Sequence, residues 1–283
     1  MKSSHRILFA AALTFTALVA SPLPAATESA AAAGRALLQR YADAIIGVEL
    51  VVTLKMKMGD REMPPREQRV EVNGTVISPS GLTVASLAEV DPQTFFETMR
   101  GGQQGGNRME LLGVDFKEVK LRLADGTELP ARFVLKDADL DLAFMAPAVE
   151  AGAAEREFTH VDLGQSAEGA VLADYFYVSR APKVLQRVPL IRATEIVGVV
   201  ERPRRLYLMT DQALGTPMLD AAGKVLGISL QHFANNRRTG LVVLPSEDIA
   251  EIAKQAAVAQ ATPSAGADDG AAAPVAEQPA GGS

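Results

Sequence analysis

The stretch whose reading decides the fold is Thr210-Asp211-Gln212-Ala213-Leu214-Gly215-Thr216-Pro217-Met218-Leu219-Asp220-Ala221-Ala222-Gly223-Lys224-Val225-Leu226-Gly227-Ile228-Ser229-Leu230. It reads as a tight loop, a short apolar strand, a turn at Asp220–Gly223 and a second strand. Asp and Gly supply the turn chemistry, and the β-branched residues after it supply the strand.

Upstream, the apolar period is repeatedly two. Ile46, Val48, Leu50, Val52, Leu54 and Met56 alternate with Gly47, Glu49, Thr53, Lys55 and Lys57, which predicts a long half-buried strand. Gly59–Arg69, with Pro64-Pro65, reads as a polar hairpin loop. Val119, Leu121 and Leu123 alternate with Lys120 and Arg122. Ala124-Asp125-Gly126-Thr127 then turns the chain into a returning strand, Leu129–Leu135. Further strands are predicted over Val171–Val178, Glu195–Val200, Leu206–Met209 and Leu241–Leu244. Helical spacing appears at three places. Leu37, Leu38, Tyr41 and Ile45 predict a short helix over 35–46. Asp91-Pro92 opens another with Phe95, Phe96 and Met99 inward. Ser246 caps a closing helix whose stripe is Ile249, Ile252, Ala253 and Ala256.

Three of these segments resemble the HtrA/Deg family of trypsin-like serine proteases. Around the opening stretch the family writes T-D-…-G-N-S-G-G-P-L and then G-x-V-I-G-I. Thr210-Asp211, Gly215, Pro217 and Gly223–Ile228 keep that frame. Asn73–Val90, with its Ser78-Pro79-Ser80-Gly81 turn, is similar to the family's segment leading to the catalytic histidine. Lys136–Phe144 is similar to the segment carrying the catalytic aspartate. The resemblance covers roughly residues 36–253. It implies an all-β protein of two six-stranded antiparallel barrels, with short N- and C-terminal helices.

The same resemblance implies that the chemistry is gone. Aligned on Pro217, the serine position falls on Leu214 and the following glycine on Thr216. The histidine position falls on Ala88, and only the aspartate, Asp141, is retained. The loop from Asp211 to Pro217 is shorter than the pattern by roughly five residues, in the segment that shapes the oxyanion hole. No histidine lies between His5 and His160, so a shifted alignment restores no base in the first half. Leucine cannot attack a carbonyl, and alanine cannot accept a proton. Asp141 alone reads as a carboxylate hydrogen-bonded to nearby backbone. His160 and His232 read as surface or satisfied histidines. Thr216 has no evident base. Leu214, Gly215 and Thr216 are what would remain of the cleft.

Composition bounds the remaining possibilities. The 283 residues contain no Cys and three His, which excludes disulfides and thiolate sites and leaves no histidine-rich metal site. No cofactor is expected. Lys2, His5 and Arg6, the apolar run Ile7–Ala20 and the small residues Ala25-Ala26 have the grammar of a signal peptide over 1–26, with an uncleaved anchor as the alternative. No later segment is apolar enough to span a membrane. Removing Lys2 and Arg6 takes the formal charge from −6 to −8, a poor balance for binding nucleic acid. The basic residues Arg202, Arg204, Arg205, Arg237 and Arg238 read as solvated loop charge, with an acidic partner as the alternative. Asn73-Gly74-Thr75 spells a glycosylation triplet, a pattern common by chance.

The expected organisation is a signal peptide 1–26, a loose lead-in 27–35, a first barrel 36–146, a linker 147–157, a second barrel with closing helix 158–257, and a disordered Ala/Gly/Pro tail 258–283. Gly101–Gly106 reads as a flexible insertion, and nothing after residue 250 resembles a PDZ domain. The function expected is that of an exported, periplasmic or extracellular trypsin-like homologue. It would be catalytically inactive and would bind a peptide or envelope protein, with an active protease among the expected partners. An endopeptidase with rearranged residues and a structural module of an envelope complex are the other two classes left open.

Overall fold

In the computed structural model, the described residues are 25–94, 96, 109–148, 156–234 and 237–261. The signal-peptide run, the Gly101–Gly106 insertion, Phe95, Met99 and most of the linker and tail therefore lie outside them.

The chain opens with helix α1 (Ala25–Tyr41) and a 3₁₀ turn, Ala42–Ala44. Strands β1 (Ile45–Met58), β2 (Arg61–Glu62), β3 (Arg66–Val76) and β4 (Thr83–Ser86) follow, then a single helical turn, α2 (Leu87–Val90). Strands β5 (Met109–Arg122), β6 (Glu128–Asp137) and β7 (Leu142–Pro147) complete the first half. Their order is β1-β3-β4-β7-β6-β5, and β5 pairs back onto β1, so six strands close a barrel while β2 extends its rim. The second half is a closed barrel of β8 (Asp174–Arg180), β9 (Pro189–Val200), β10 (Leu206–Met209), β11 (Pro217–Leu219), β12 (Val225–Ala234) and β13 (Arg237–Pro245), in the order β10-β13-β12-β11-β8-β9. Helix α3 (Ser246–Ala261) ends the described chain.

The alternation along β1 does what its pattern predicts. Ile46, Val48, Leu50, Val52 and Leu54 are buried and fill the first barrel with Leu121, Ala143 and Met145. The second barrel is filled by Tyr175, Tyr177, Ile196, Met218 and Val243. A third cluster lies between the barrels. It joins Ile45, Val84 and Phe144 of the first to Phe176, Ile228 and Leu244 of the second, and α1 and α3 seal it with Leu37, Tyr41, Ile249 and Ala256. The two barrels thus share an interface cluster beside their own interiors, and apolar burial in all three is the main stabilising term.

Several boundaries differ from expectation. Helix α1 starts at Ala25, so the stretch 27–35 is helical and not a loose lead-in. It is Ala-rich, and alanine is the best helix former even without an apolar stripe. The helix ends at Tyr41, ahead of the expected 46. The polar loop 59–69 is mostly strand. β9 and β13 begin six and four residues earlier than predicted. Residues 158–161, assigned to the second barrel, hydrogen-bond to the first: the Phe158 and Val161 amides donate to Pro79 O (3.0 Å) and Val76 O (2.9 Å). The tail boundary moves as well, because α3 continues through Ala261. Ser246 is not a hydrogen-bonding cap: it is the first helical residue, buried, and its hydroxyl has no partner.

Candidate functional site

The site is built where the two barrels meet. Strand β4 ends at Ser86, α2 follows at once, and Asp141 sits just ahead of β7. The Leu87 amide donates to Asp141 O (2.9 Å), fixing the turn against the strand start. Asp141 has φ +60°, a left-handed conformation that Asp tolerates better than most residues. Its side chain is only 1% exposed. One carboxylate oxygen, Oδ1, accepts the Ala88 amide (2.7 Å). The other, Oδ2, accepts the Ser86 hydroxyl (2.5 Å) and the Gln231 amide of β12 (2.7 Å). Asp141 is therefore a three-donor latch that ties the first barrel to the second.

Burial pushes the Asp141 carboxyl up to about 6, against the three hydrogen bonds and the more distant Arg238, which all favour the charged form. The neighbouring Glu89 is pushed further, to about 7, first by burial and then by the negative charge of Asp141. Arg238 again opposes the shift. Glu89 lines a cavity of about 260 Å³ with Asn73, Arg180, Pro182 and Lys183. Two carboxyl groups that change charge near neutral pH thus lie side by side, one wholly buried and one facing a cavity.

The loop from Asp211 to Pro217 approaches the same place. The Thr75 hydroxyl donates to Gly215 O (2.7 Å). The Gly215 amide donates to Ser229 O (2.8 Å), and the Ser229 amide donates back to Thr216 O (3.0 Å). Gly215 has φ +70°, and a Cβ there would collide with the Asn73 carbonyl and lie 3.7 Å from Ala85 Cα. Only glycine fits a left-handed turn pressed against another backbone. The retained glycine frame therefore brings this loop against the strand that leads to Ala88.

Of the expected remnant cleft, Leu214 is half-buried, but Gly215 and Thr216 are buried, Thr216 completely. The Thr216 hydroxyl donates to Ala213 O (2.6 Å). The three therefore do not form an open lining: the shortened loop folds in on itself, and only Leu214 keeps a partly exposed surface. Neither other histidine enters the site. His160 Nδ1 lies 3.1 Å from Phe158 O, and His232 Nδ1 lies 2.6 Å from the Thr239 hydroxyl. Asn73 of the glycosylation triplet accepts the Arg180 amide through Oδ1 (3.0 Å), and Thr75 is fully buried. The basic loop residues Arg204 and Arg205 pair with Asp248 (3.4 Å) and Glu201 (3.2 Å). No group of three His, Asp or Glu is assembled for a metal among the described residues.

Sequence reading missed Ser86, Glu89 and Gln231. Ser86 shows in the sequence only as a small hydroxyl residue at the end of an apolar strand. Gln231 contributes through its backbone, which no side-chain pattern reveals. Glu89 stands next to Ala88 and could have been found by asking what flanks the position aligned with the family's histidine.

No protein-family model and no curated protein sequence matches the chain. Solved structures do. The HtrA-type protease AlgW with a decapeptide matches at a TM-score of 0.51 and 14% identity, over 78% of this chain and 66% of that one. A variant of AlgW, also with a decapeptide, matches at 0.51 and 15%, over 78% and 65%. The apo MamO protease domain from Magnetospirillum magneticum matches at 0.46 and 15%, over 75% and 97%. The chain thus spans about two thirds of the AlgW chains. The fold is that of the trypsin-like, HtrA-type proteases.

Proposed function

We propose that the protein is an exported trypsin-like homologue that does not cleave peptides and instead binds an extended segment of a peptide or envelope protein. The observation that carries this reading is the state of Asp141. The residue at the orienting-carboxylate position is 1% exposed and engaged by Ala88 N, Ser86 Oγ and Gln231 N, with no imidazole to orient. Catalysis by this fold needs a base within hydrogen-bond reach of a hydroxyl nucleophile. Ala88 and Leu214 supply neither, and the Thr216 hydroxyl is committed to Ala213 O inside the protein.

Binding is supported by a strand edge. β11 pairs with β12 only from Val225 to Ile228 and the Gln231 amide is taken by Asp141, so among the described residues the edge of β12 paired on one side alone, by β13, is the short stretch 232–234. An extended peptide can add to such an edge through main-chain hydrogen bonds. The decapeptides bound to the similar AlgW structures fit this mode of partner.

The test is to incubate the purified chain with unfolded casein and, in parallel, with a fluorophosphonate that labels activated serines. No cleavage and no label are expected. Cleavage that persists through purification and is abolished by Thr216→Ala or His160→Ala would overturn the proposal in favour of a rearranged endopeptidase. Absence of binding to a panel of extended decapeptides, with no cleavage, would point to a purely structural module.

A further inference from the structure

One end of the first barrel concentrates thioethers. Of the nine methionines in the chain, Met56, Met58, Met63 and Met109 gather there, and the strand register shows how. The pairing of β1 with β3 ends at Leu54 and Arg66. Beyond that point β1 runs on between β2 and β5 alone, as a three-stranded ribbon. Met58 pairs directly with Met109, and Met56 with Leu111. On the other side, the Met63 amide donates to Met56 O (2.9 Å), one step past the pairing of Lys57 with Glu62.

Residues directly opposite one another share a face of a sheet, and so do residues two apart on one strand. All four methionines therefore lie on one face of the ribbon. Lys57, between Met56 and Met58, marks the other face, where it pairs with Glu110 (2.9 Å). Neighbours across the ribbon are about 5 Å apart and neighbours along a strand about 7 Å. A methionine side chain has three rotatable bonds and spans such gaps. The sulfurs of Met56, Met58 and Met109 can thus meet over one point, with Met63 in reach. Met56 is only 7% exposed and packs on the barrel interior, whereas Met58 is 40% exposed, Met109 39% and Met63 half-buried. The cluster has a buried floor and a mouth open to water.

As packing alone this is a poor arrangement, because large apolar side chains stay in water and methionine specifies packing less well than leucine. As a donor set it is coherent. Thioether sulfur is soft and uncharged, and it selects Cu(I) over the hard cations that take oxygen ligands. It carries no proton to lose, so it stays a donor at any ordinary pH. The chain has no cysteine to compete, and His160 and His232 lie by Phe158 and Thr239. Arg61, opposite Met58, is exposed, and its long stem lets the guanidinium stay in water.

We propose that Met56, Met58, Met63 and Met109 form a thioether site for one soft monovalent cation, Cu(I) or its redox-inert analogue Ag(I). The site lies at the opposite end of β1 from Ile45, which belongs to the interface cluster, so the proposal is independent of the peptide-binding reading. The test labels the methionine methyl groups of the full chain with carbon-13 and titrates it with silver nitrate in chloride-free buffer. The methyl signals of Met56, Met58, Met63 and Met109 should move together and saturate at one Ag(I) per chain. Those of Met145, Met209 and Met218, buried elsewhere, should stay in place. Cu(I) held reduced by ascorbate should reproduce the pattern, and Mg(II) and Zn(II) should not. Met58→Leu combined with Met109→Leu conserves volume and should weaken Ag(I) binding about tenfold or more. The unmoved signals of Met145, Met209 and Met218 report that this variant is folded. Shifts spread evenly over all the methionines would mean adventitious binding and overturn the proposal. So would the absence of any shift at the four methyls, or Ag(I) uptake unchanged in the double variant.

Discussion

At the scale of single residues, the site is governed by one buried carboxylate. In a protease the aspartate orients an imidazole. Here Asp141 collects Ala88 N, Ser86 Oγ and Gln231 N and so joins the barrels. Replacing Asp141 with Ala leaves three buried donors unpaired, each worth about 1–3 kcal/mol, partly offset by removing a buried charge. Asp141→Ala should therefore lose about 3–5 kcal/mol in urea unfolding. Glu89 gives a second test. Its carboxyl is raised to about 7 and that of Asp141 to about 6, both above their values in an unfolded chain. The folded state thus holds protons that the unfolded state releases. That contribution is fully present below about pH 4 and is lost as pH rises through 6 to 7. Carboxylates held low by basic partners, such as Glu49 beside Arg122, act oppositely but only as pH falls below their unfolded values. The protein should therefore be more stable at pH 5.5 than at pH 8. Glu89→Gln should flatten that difference and raise the melting temperature at pH 8. A melting temperature that rises from pH 5.5 to 8 in the unmodified protein would contradict the assignment.

At the scale of elements, the loop Asp211–Pro217 is fixed by backbone contacts to both barrels. At Gly215, φ +70° and the Asn73 carbonyl leave no room for a side chain. Gly215→Ala should destabilise by more than 2 kcal/mol through combined strain and collision, an effect readable in thermal unfolding. For the same reason, Ala88→His with Leu214→Ser should not create measurable casein cleavage. In the Asp211–Pro217 loop the Gly215 amide is already bound to Ser229 O and the Thr216 hydroxyl to Ala213 O, so neither is free to meet a developing oxyanion. These elements were legible in the sequence because turn chemistry is local. Ser78–Gly81 turns as its residues demand, with Gly81 at φ +83°, and Leu206–Met209 forms a strand over its predicted span. What was illegible depended on burial from outside the element. The first residues of β9, Pro189–Ala193, are mostly exposed and carry no period-two signal, yet they pair with β8 along its length. The start of α1 was missed because its alanines mark no face. Whether Leu214, Gly215 and Thr216 line an open cleft was not legible, because whether Thr216 points to solvent or to Ala213 O is set by how the loop collapses.

At the scale of the whole molecule, the question is whether two closed barrels behave as one body. Each has its own interior, which would allow separate unfolding. Against that, the cluster containing Ile45, Phe144, Phe176 and Ile228 crosses between them, and α1 and α3 each contribute to it. Polar links reinforce it. Tyr41 of α1 donates to Gly223 O (3.0 Å) in the second barrel, and Arg180 of the second barrel donates to Ala42 O (2.6 Å) and to Ile45 O at the entry to the first. Burial lowers the Arg180 pKa, yet the group stays charged at any ordinary pH, so its carbonyl partners compensate lost water. Arg180→Met keeps an unbranched apolar stem but removes the guanidinium and strands those carbonyls, at a cost of about 2–3 kcal/mol. Because the interface core remains, the loss should shift a single cooperative urea transition to lower midpoint with an unchanged slope. Circular dichroism and tyrosine fluorescence should report coincident curves: Tyr175, Tyr177 and Tyr207 lie inside the second barrel, and Tyr41 sits at the interface. Separation of the two curves in the Arg180→Met protein would mean that the guanidinium, and not the shared apolar cluster, makes the barrels unfold together.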